Sequence, residues 1–360
     1  MKRVYISDCE GPISKNDNAF EATANFVPNG EKLFALISKY DDVLADVIKK
    51  PDYNAGDTLK LILPFLKSYG VTDEALGKFS AENLMLITAS KKTLEHVRSL
   101  AASFIVSTSY EHYIRALCKA LSFPFENTYC TRLNLGSYMV SSREKSRIRE
   151  LANEIAQKPM ITIPPAARSI GEFSKQDKAT IRRLDEIFWE EIHGMDAGAV
   201  FQTVKPIGGH QKAEAVKDAA RESKVQLSDV LYVGDSITDV EAFKLVRESG
   251  GLTVSFNGNH YAVRNAEVAV TSENNFATAI IAELWCKLDK NETLEMLGNW
   301  SQATLRKSQP SKSVLEQLFS QCSGWIPKLQ IVTSENMETL VRESGEFRKK
   351  VRGETVGRLG

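Results

Sequence analysis

The chain reads as an α/β protein whose parallel sheet is covered by helices on both faces. Three observations predict this. Short apolar runs at Val4–Ser7, Phe104–Val106, Val230–Val233 and Leu252–Phe256 have the uniform apolarity of strands buried on both faces. Segments with apolar residues at three- and four-residue steps alternate with them. Polar clusters follow three of the runs directly, where open parallel sheets carry their ligands.

The first strand ends at Asp8, and Gly11 and Pro12 break it. Over residues 30–50, Leu33, Leu36, Ile37, Tyr40, Leu44, Val47 and Ile48 recur at helical spacing. Another helix starts at Asp57, a suitable N-cap, and Pro64 is expected to kink or stop it. A third starts with Thr72 as its cap. Residues 15–84 thus form a helical cap inserted after the first strand. Alternation resumes with a helix over Thr93–Ala101, the strand Phe104–Val106 ending at Ser107, a helix over Tyr110–Leu121 and a strand candidate at Asn127–Leu133. Charged helices at Ser141–Gln157 and Lys175–His193 flank the Pro-rich stretch Lys158–Pro165, and their charges read as solvated faces. Phe201–Val204 is a short strand candidate. A helix over Lys212–Lys224, the strand Val230–Val233, a helix over Ile237–Glu248 and strands at Leu252–Phe256 and Val268–Val270 complete the pattern. Beyond Trp285 the chain is mostly helical and polar. No internal repeat is present.

These elements give an α/β three-layer core with a parallel sheet at 1–14 and 85–285, a helical insert within it at 136–200, the cap at 15–84 and a helical C-terminal extension at 286–360. A length of 360 residues accommodates about two or three domains. Hydrophobic residues make up 42%, enough for a sizeable core. Lys+Arg and Asp+Glu number 46 each, so the chain has no long-range basic field for nucleic acid. Apolar runs such as Leu84–Ile87 are far short of a membrane span, and the N-terminus lacks a secretory apolar stretch. Cys9, Cys118, Cys130, Cys286 and Cys322 are scattered without a CxxC pair, the pattern of free thiols in a reducing cytoplasm.

The chemistry-bearing clusters are Asp8-Cys9-Glu10-Gly11, Ser107-Thr108-Ser109 and Gly234-Asp235-Ser236-Ile237-Thr238-Asp239, with Lys212 opening the helix before the last. Each alone has an ordinary explanation. The first is a turn or cap, the second satisfies a backbone group, Lys212 is solvated, and the last is an elaborate cap. Their conjunction, in this order and each at a strand end, is hard to obtain from caps alone.

That ordered quartet resembles the four motifs of the haloacid dehalogenase (HAD) superfamily. Asp8-x-Glu10-Gly11 and Ser107-Thr-Ser-Tyr-Glu are similar to the first two motifs of its phosphoserine phosphatase-like branch, and the insertion at 15–84 corresponds to that family's helical cap. Overall the chain is similar to a group of archaeal HAD hydrolases, some labelled as an energy-converting hydrogenase subunit; no function is taken from that label. The resemblance implies a cytoplasmic, Mg²⁺-dependent phosphatase acting on a small phosphomonoester, with a phosphorylated amino acid as first guess. Asp8 is then the nucleophile that forms an aspartyl phosphate. Glu10 is the acid and base. Ser107, Thr108, Lys212 and Asn257 lie at the phosphate or substrate. The metal set is Asp8, Glu10 through its backbone carbonyl, Asp235 and Asp239, the last serving as outer ligand or as holder of Lys212. A hard cation with oxygen ligands suits this set.

Pro12 stands where many family members have Thr, so the turn after the nucleophile must differ. His96, His112, His193, His210 and His260 are dispersed; His210 is either a helix-entry residue or a pocket residue. Asn257-Gly258 is first of all a turn, and Gly208-Gly209 is too short for a phosphate loop. Two other functions fit the same residues. One is a phosphotransferase. The other is a non-catalytic interaction subunit, with a homodimer or protein partner docking on the C-terminal extension through Leu315, Leu318 and Phe319.

Overall fold

The computed structural model describes residues 2–307, 310–321 and 326–359. The chain opens with β1 (Val4–Ser7) and continues into four helices, α1 (Asn18–Phe26), α2 (Gly30–Asp42), α3 (Thr58–Ser68) and α4 (Asp73–Glu82). Then come α5 (Ser90–Leu100), β2 (Ala102–Tyr110), α6 (Glu111–Leu121) and β3 (Thr128–Thr131). A second helical stretch holds α7 (Ser142–Ala156), α8 (Lys175–Asp185) and the short α9 (Val200–Thr203). The core resumes with α10 (His210–Ser223), β4 (Val230–Gly234), α11 (Val240–Glu248), β5 (Leu252–Phe256), α12 (His260–Asn265), β6 (Val268–Thr271) and α13 (Phe276–Lys287). The last elements are α14 (Lys290–Gly298), α15 (Gln302–Lys307), α16 (Lys312–Gln321), β7 (Lys328–Ile331) and α17 (Met337–Arg352).

Seven strands form one sheet in the order β3-β2-β1-β4-β5-β6-β7. All neighbours are parallel except β6 and β7, which are antiparallel. Successive strand residues point to opposite faces. Along β4, Val230 and Tyr232 pack into the cluster under α10 and α11, while Leu231 and Val233 pack into the one under α5, α6 and α13. Both faces are therefore covered, and the run must be apolar throughout.

The two helical stretches share one apolar cluster, in which Leu33, Ile37, Leu61 and Phe65 meet Leu151, Ile155, Leu184 and Phe188. This shared burial explains why α3 runs through Pro64 to Ser68 instead of stopping: Leu61 to Leu66 are all buried. Packing on every side offsets the roughly 3 kcal/mol that an interior proline removes from a helix.

Other expectations need correction. Phe201–Val204 is not a strand; α9 occupies Val200–Thr203 and buries Val200 and Phe201 among the cap helices, away from any sheet edge. Four apolar residues do not distinguish a strand from a buried helical turn. The C-terminal extension is not purely helical, because β7 completes the sheet edge beside β6. Its short pattern, with Leu329 in and Lys328 and Gln330 out, is too brief to stand out from a loop. The face of Leu315, Leu318 and Phe319 is no open docking surface: α16 packs it on the core beside α13. Cys9, Cys118, Cys130 and Cys286 are unpaired, and Cys322 lies outside the described residues. No helix among the described residues is long and apolar enough to cross a membrane.

Candidate active site

The strand order reverses between β1 and β4, neighbours in space that are far apart in sequence. In such sheets the crevice outside the carboxyl ends at the reversal is the natural ligand site. Asp8 and Asp235 are the residues that leave β1 and β4 there.

Asp8 is held by its surroundings. Its backbone N–H donates to the Val233 carbonyl at 2.8 Å, continuing the ladder one residue past the strand. The Cys9 N–H donates to Asp8 Oδ1 at 2.6 Å, and Lys212 Nζ lies 2.7 Å from Asp8 Oδ2. Lys212 also donates to Asp239 Oδ1 at 2.7 Å. Although fully buried, it is neutralised from both sides. Burial alone would lower its pKa, but Asp239 and Asp8 hold it above the ordinary lysine value.

Asp239 organises the turn after β4. Oδ2 accepts from the N–H groups of Asp235 at 2.9 Å and Ser236 at 3.0 Å, while Oδ1 accepts from Lys212 and from the Tyr232 hydroxyl at 2.7 Å. With the Ser236 hydroxyl, a more distant donor to Oδ2 at 3.5 Å, five donors surround this carboxylate, which fixes Lys212 and Asp235 in place. Two glycines allow the close packing. A Cβ on Gly234 would press on the Asp239 carboxylate, and one on Gly11, at φ +103°, would overlap that of Asp235. The turn containing Pro12 closes on the Cys9 carbonyl, which accepts from Ile13 N–H at 2.8 Å and Ser14 N–H at 3.0 Å; no N–H from Pro12 is needed.

One carboxylate oxygen from each of Asp8, Asp235 and Asp239 lies within 4.8 Å of the others, all buried. Burial, opposed by Lys212 and reinforced by Asp239 and Asp235, raises Asp8 to about 7. Lys212 between Asp8 and Asp239, and Arg348 and Arg352 on Asp235, balance this crowding of negative charge, and the cluster could also hold a metal ion. The hard oxygen donors fit Mg²⁺ or a similar ion, and Asp8 and Asp235 are the two best placed to hold it, since Asp239 is already saturated.

A cavity of about 100 Å³ opens beside these residues. Glu10 lines it, with Oε1 accepting from the Asn18 N–H at 2.7 Å at the start of α1. Burial raises Glu10 well above the ordinary glutamate value, with Asp17 adding to the effect and the Asn18 N–H and Arg352 opposing it. Thr108 also lines the cavity, but its hydroxyl donates to the Ile207 carbonyl at 3.0 Å. Ser107 is buried, and its Oγ accepts from the Ser109 N–H at 3.2 Å, leaving its proton to give. Asn257 does not reach the cavity lining. Its amide donates to the Ser272 carbonyl at 2.8 Å and accepts from the Ser272 N–H at 2.9 Å, joining the loops after β5 and β6. His210 is the exposed first residue of α10, paired with Glu214.

Sequence reasoning missed two residues. Arg348 and Arg352 of α17 both pair with Asp235 Oδ2, Arg352 at 3.1 Å. Arg352 also donates to the carbonyls of Lys15 (3.0 Å) and Asn16. Their i, i+4 spacing places them on one helix face, but a basic helix end ordinarily reads as a solvated surface. The cap contributes too. Asp41 accepts from the Tyr53 hydroxyl at 2.6 Å and from the N–H groups of Gly56 at 2.9 Å and Thr58 at 3.1 Å, shaping the loop that roofs the cavity.

Fold and site together define a class: a three-layer α/β protein with a buried carboxylate–lysine centre at the reversal of a mostly parallel sheet. No protein-family model matches the chain, and no curated protein matches it. Among solved structures, gene product AF1437 from Archaeoglobus fulgidus is similar with TM-score 0.80 and 23% identity, covering 100% of this chain and 99% of that one. The likeness shows the fold, and it extends over the C-terminal segment as well as the sheet. A phosphoserine phosphatase in apo form is similar with TM-score 0.43 and 12% identity, over 81% of this chain and 100% of its own. An HAD family hydrolase from Deinococcus radiodurans with bound phosphate and sodium follows at TM-score 0.33 and 13% identity, over 80% and 98%. Superpositions that loose say nothing about chemistry.

Proposed function

We propose that the chain is a metal-dependent phosphomonoester hydrolase working by HAD-type chemistry, with Asp8 as the nucleophile. The observation that carries this reading is the buried Asp8–Lys212–Asp239 chain beside Asp235 at the sheet reversal. A structural ion pair needs one carboxylate for one lysine; here Lys212 is shared by two buried carboxylates, and Asp235, paired with Arg348 and Arg352, brings a third to the same strand ends, a concentration of buried charge that has a functional explanation.

Asp8 attacks phosphorus in line. Its carboxylate oxygen forms the new P–O bond while the bond to the alcohol oxygen breaks. Glu10, whose pKa burial raises, gives its proton to the departing oxygen. Glu10 then takes a proton from a water molecule, which attacks the aspartyl phosphate and releases phosphate. Lys212 offsets charge at Asp8, and the Ser107 hydroxyl donates to a phosphoryl oxygen. Bound by Asp8 and Asp235, a divalent ion such as Mg²⁺ would supply positive charge against the phosphoryl oxygens. Asp239 keeps Lys212 and the Asp235 turn in position. The small cavity suits a small ester, with a phosphorylated amino acid as the first candidate. Cytoplasmic location accords with the free thiols.

Phosphate release from phosphoserine and p-nitrophenyl phosphate, with Mg²⁺ and with chelator, tests the reading. The expected result is metal-dependent release that Asp8→Asn abolishes. Release that survives Asp8→Asn at the wild-type rate contradicts it, and transfer to an added alcohol in place of water redirects it to a phosphotransferase.

A further inference from the structure

We infer that Arg348 and Arg352 of α17 are phosphate-binding residues of the active site, which rest on Asp235 until a metal ion takes that carboxylate. The inference builds on the metal-dependent reading above and adds a component to it.

Three observations carry it. First, of the residues lining the cavity, Arg348 and Arg352 are the cationic ones; Lys212 lies behind Asp8 and is spent between two carboxylates. A phosphoryl group arriving at Asp8 would meet several acids in the wall, Glu10, Asp17 and Asp235 among them, with these two guanidiniums as its cationic donors. Planar guanidinium groups match phosphate oxygens in charge and geometry. Second, Arg348 is 2% exposed, yet its Nε has no hydrogen-bond partner. A buried donor left unmade is costly, and a phosphoryl oxygen in the cavity is a natural acceptor. Third, the helix is fixed where it stands. β7 pairs with β6, Ser344 Oγ donates to the Gly258 carbonyl at 2.7 Å, and Leu340 packs against Val263 and Ala269. The chain after α17 then crosses to the cap, where Val356 and Leu359 join the cap cluster and Leu359 lines the cavity. The arginines are thus built into the wall.

Both guanidiniums share the single oxygen Asp235 Oδ2, so a divalent ion that takes this oxygen competes with them and displaces them from it. Metal binding therefore frees the arginines, and the anion they then accept is the phosphoryl group. Metal is expected to bind before phosphate.

This predicts effects of opposite sign. Calorimetric titration of Mg²⁺ into the full-length protein, followed by inorganic phosphate into the Mg²⁺-loaded form, is compared between wild type and Arg348→Met. The variant should bind Mg²⁺ about tenfold tighter, having lost a competitor for Asp235, and bind phosphate on the order of tenfold more weakly. Arg352→Met is the second variant, should Arg348→Met fail to fold, and the same pair of signs is expected. Weakening of both ligands is the mark of structural damage and overturns the inference, as does unchanged phosphate affinity. A wild-type protein that binds no Mg²⁺ would sink the metal-dependent reading itself, an outcome distinct from either.

Discussion

The two walls of the cavity are held by different means. On the sheet side, Asp8 and Asp235 directly follow strand ends and Asp239 closes the turn after β4; the backbones of Asp8 and Asp235 are tied by partners within a few residues or on the adjoining strand, while the Asp235 carboxylate is held by the arginines opposite. Opposite them, Arg348 and Arg352 stand on a helix whose position depends on the pairing of β7 with β6 and on contacts of α17 with α12 and β6. The first wall sets its backbone geometry locally; the second has its geometry delivered by tertiary docking. Substitutions in the first should therefore hit chemistry directly, whereas substitutions in the anchors of the second should act first on stability and only then on ligands.

The largest expected effect lies in the sheet wall. Lys212→Met leaves Asp8 and Asp239 buried without their shared cation, a loss of about 3–5 kcal/mol of stability. Thermal melts should show it without metal, and Mg²⁺ should restore part of it by supplying charge. A melt unchanged from wild type would mean that Lys212 is not the charge partner.

Next comes Glu10→Gln, expected to lower kcat about 10²–10⁴-fold for an ester with a poor leaving group and much less for p-nitrophenyl phosphate. Its pH profile sharpens the point. Burial raises the Glu10 pKa, so the protonated form persists as pH rises and is lost only above the ordinary glutamate range. The alkaline limb of kcat should lie correspondingly high in wild type and vanish in Glu10→Gln. A limb at the ordinary glutamate value would remove Glu10 from the acid role.

A smaller effect probes the docking of the C-terminal extension. Glu283 on α13 is fully buried and accepts from the Ser311 N–H at 2.8 Å and hydroxyl at 2.7 Å, with Lys287 at 2.7 Å and His96 at 2.9 Å. Despite burial, these partners hold its pKa below the ordinary range. Glu283→Gln should cost about 2 kcal/mol in denaturant unfolding while leaving Asp8 chemistry in place. If it abolished turnover at unchanged stability, the division between the two walls would be wrong. The smallest effect is expected at Leu359, where truncation to Ala should remove roughly 2 kcal/mol or less of stability and raise KM more than it lowers kcat.

The same division decides how much could be read from the sequence. The strands were visible because burial on both faces demands unbroken apolar runs such as Val230–Val233, and the acids were visible because they directly follow those runs. Lys212 stood out through its order relative to them. The arginines carried no comparable signal, since nothing local distinguishes a basic helix end in water from one driven into a crevice. A stop at Pro64 and a strand at Phe201–Val204 were not realised for a related reason: propensity speaks for a short segment, and the shared apolar cluster overruled it in both places. The strand β7 was hidden by its brevity and its late position in the chain.

The central claim is that Asp8 becomes phosphorylated during turnover. Borohydride reduces an aspartyl phosphate to homoserine, so peptide mapping after reduction of the enzyme quenched during hydrolysis of a phosphomonoester reads the claim directly. The account predicts homoserine at position 8, dependent on Mg²⁺ and on substrate. Steady hydrolysis with unmodified aspartate at that position under the same quench would contradict it.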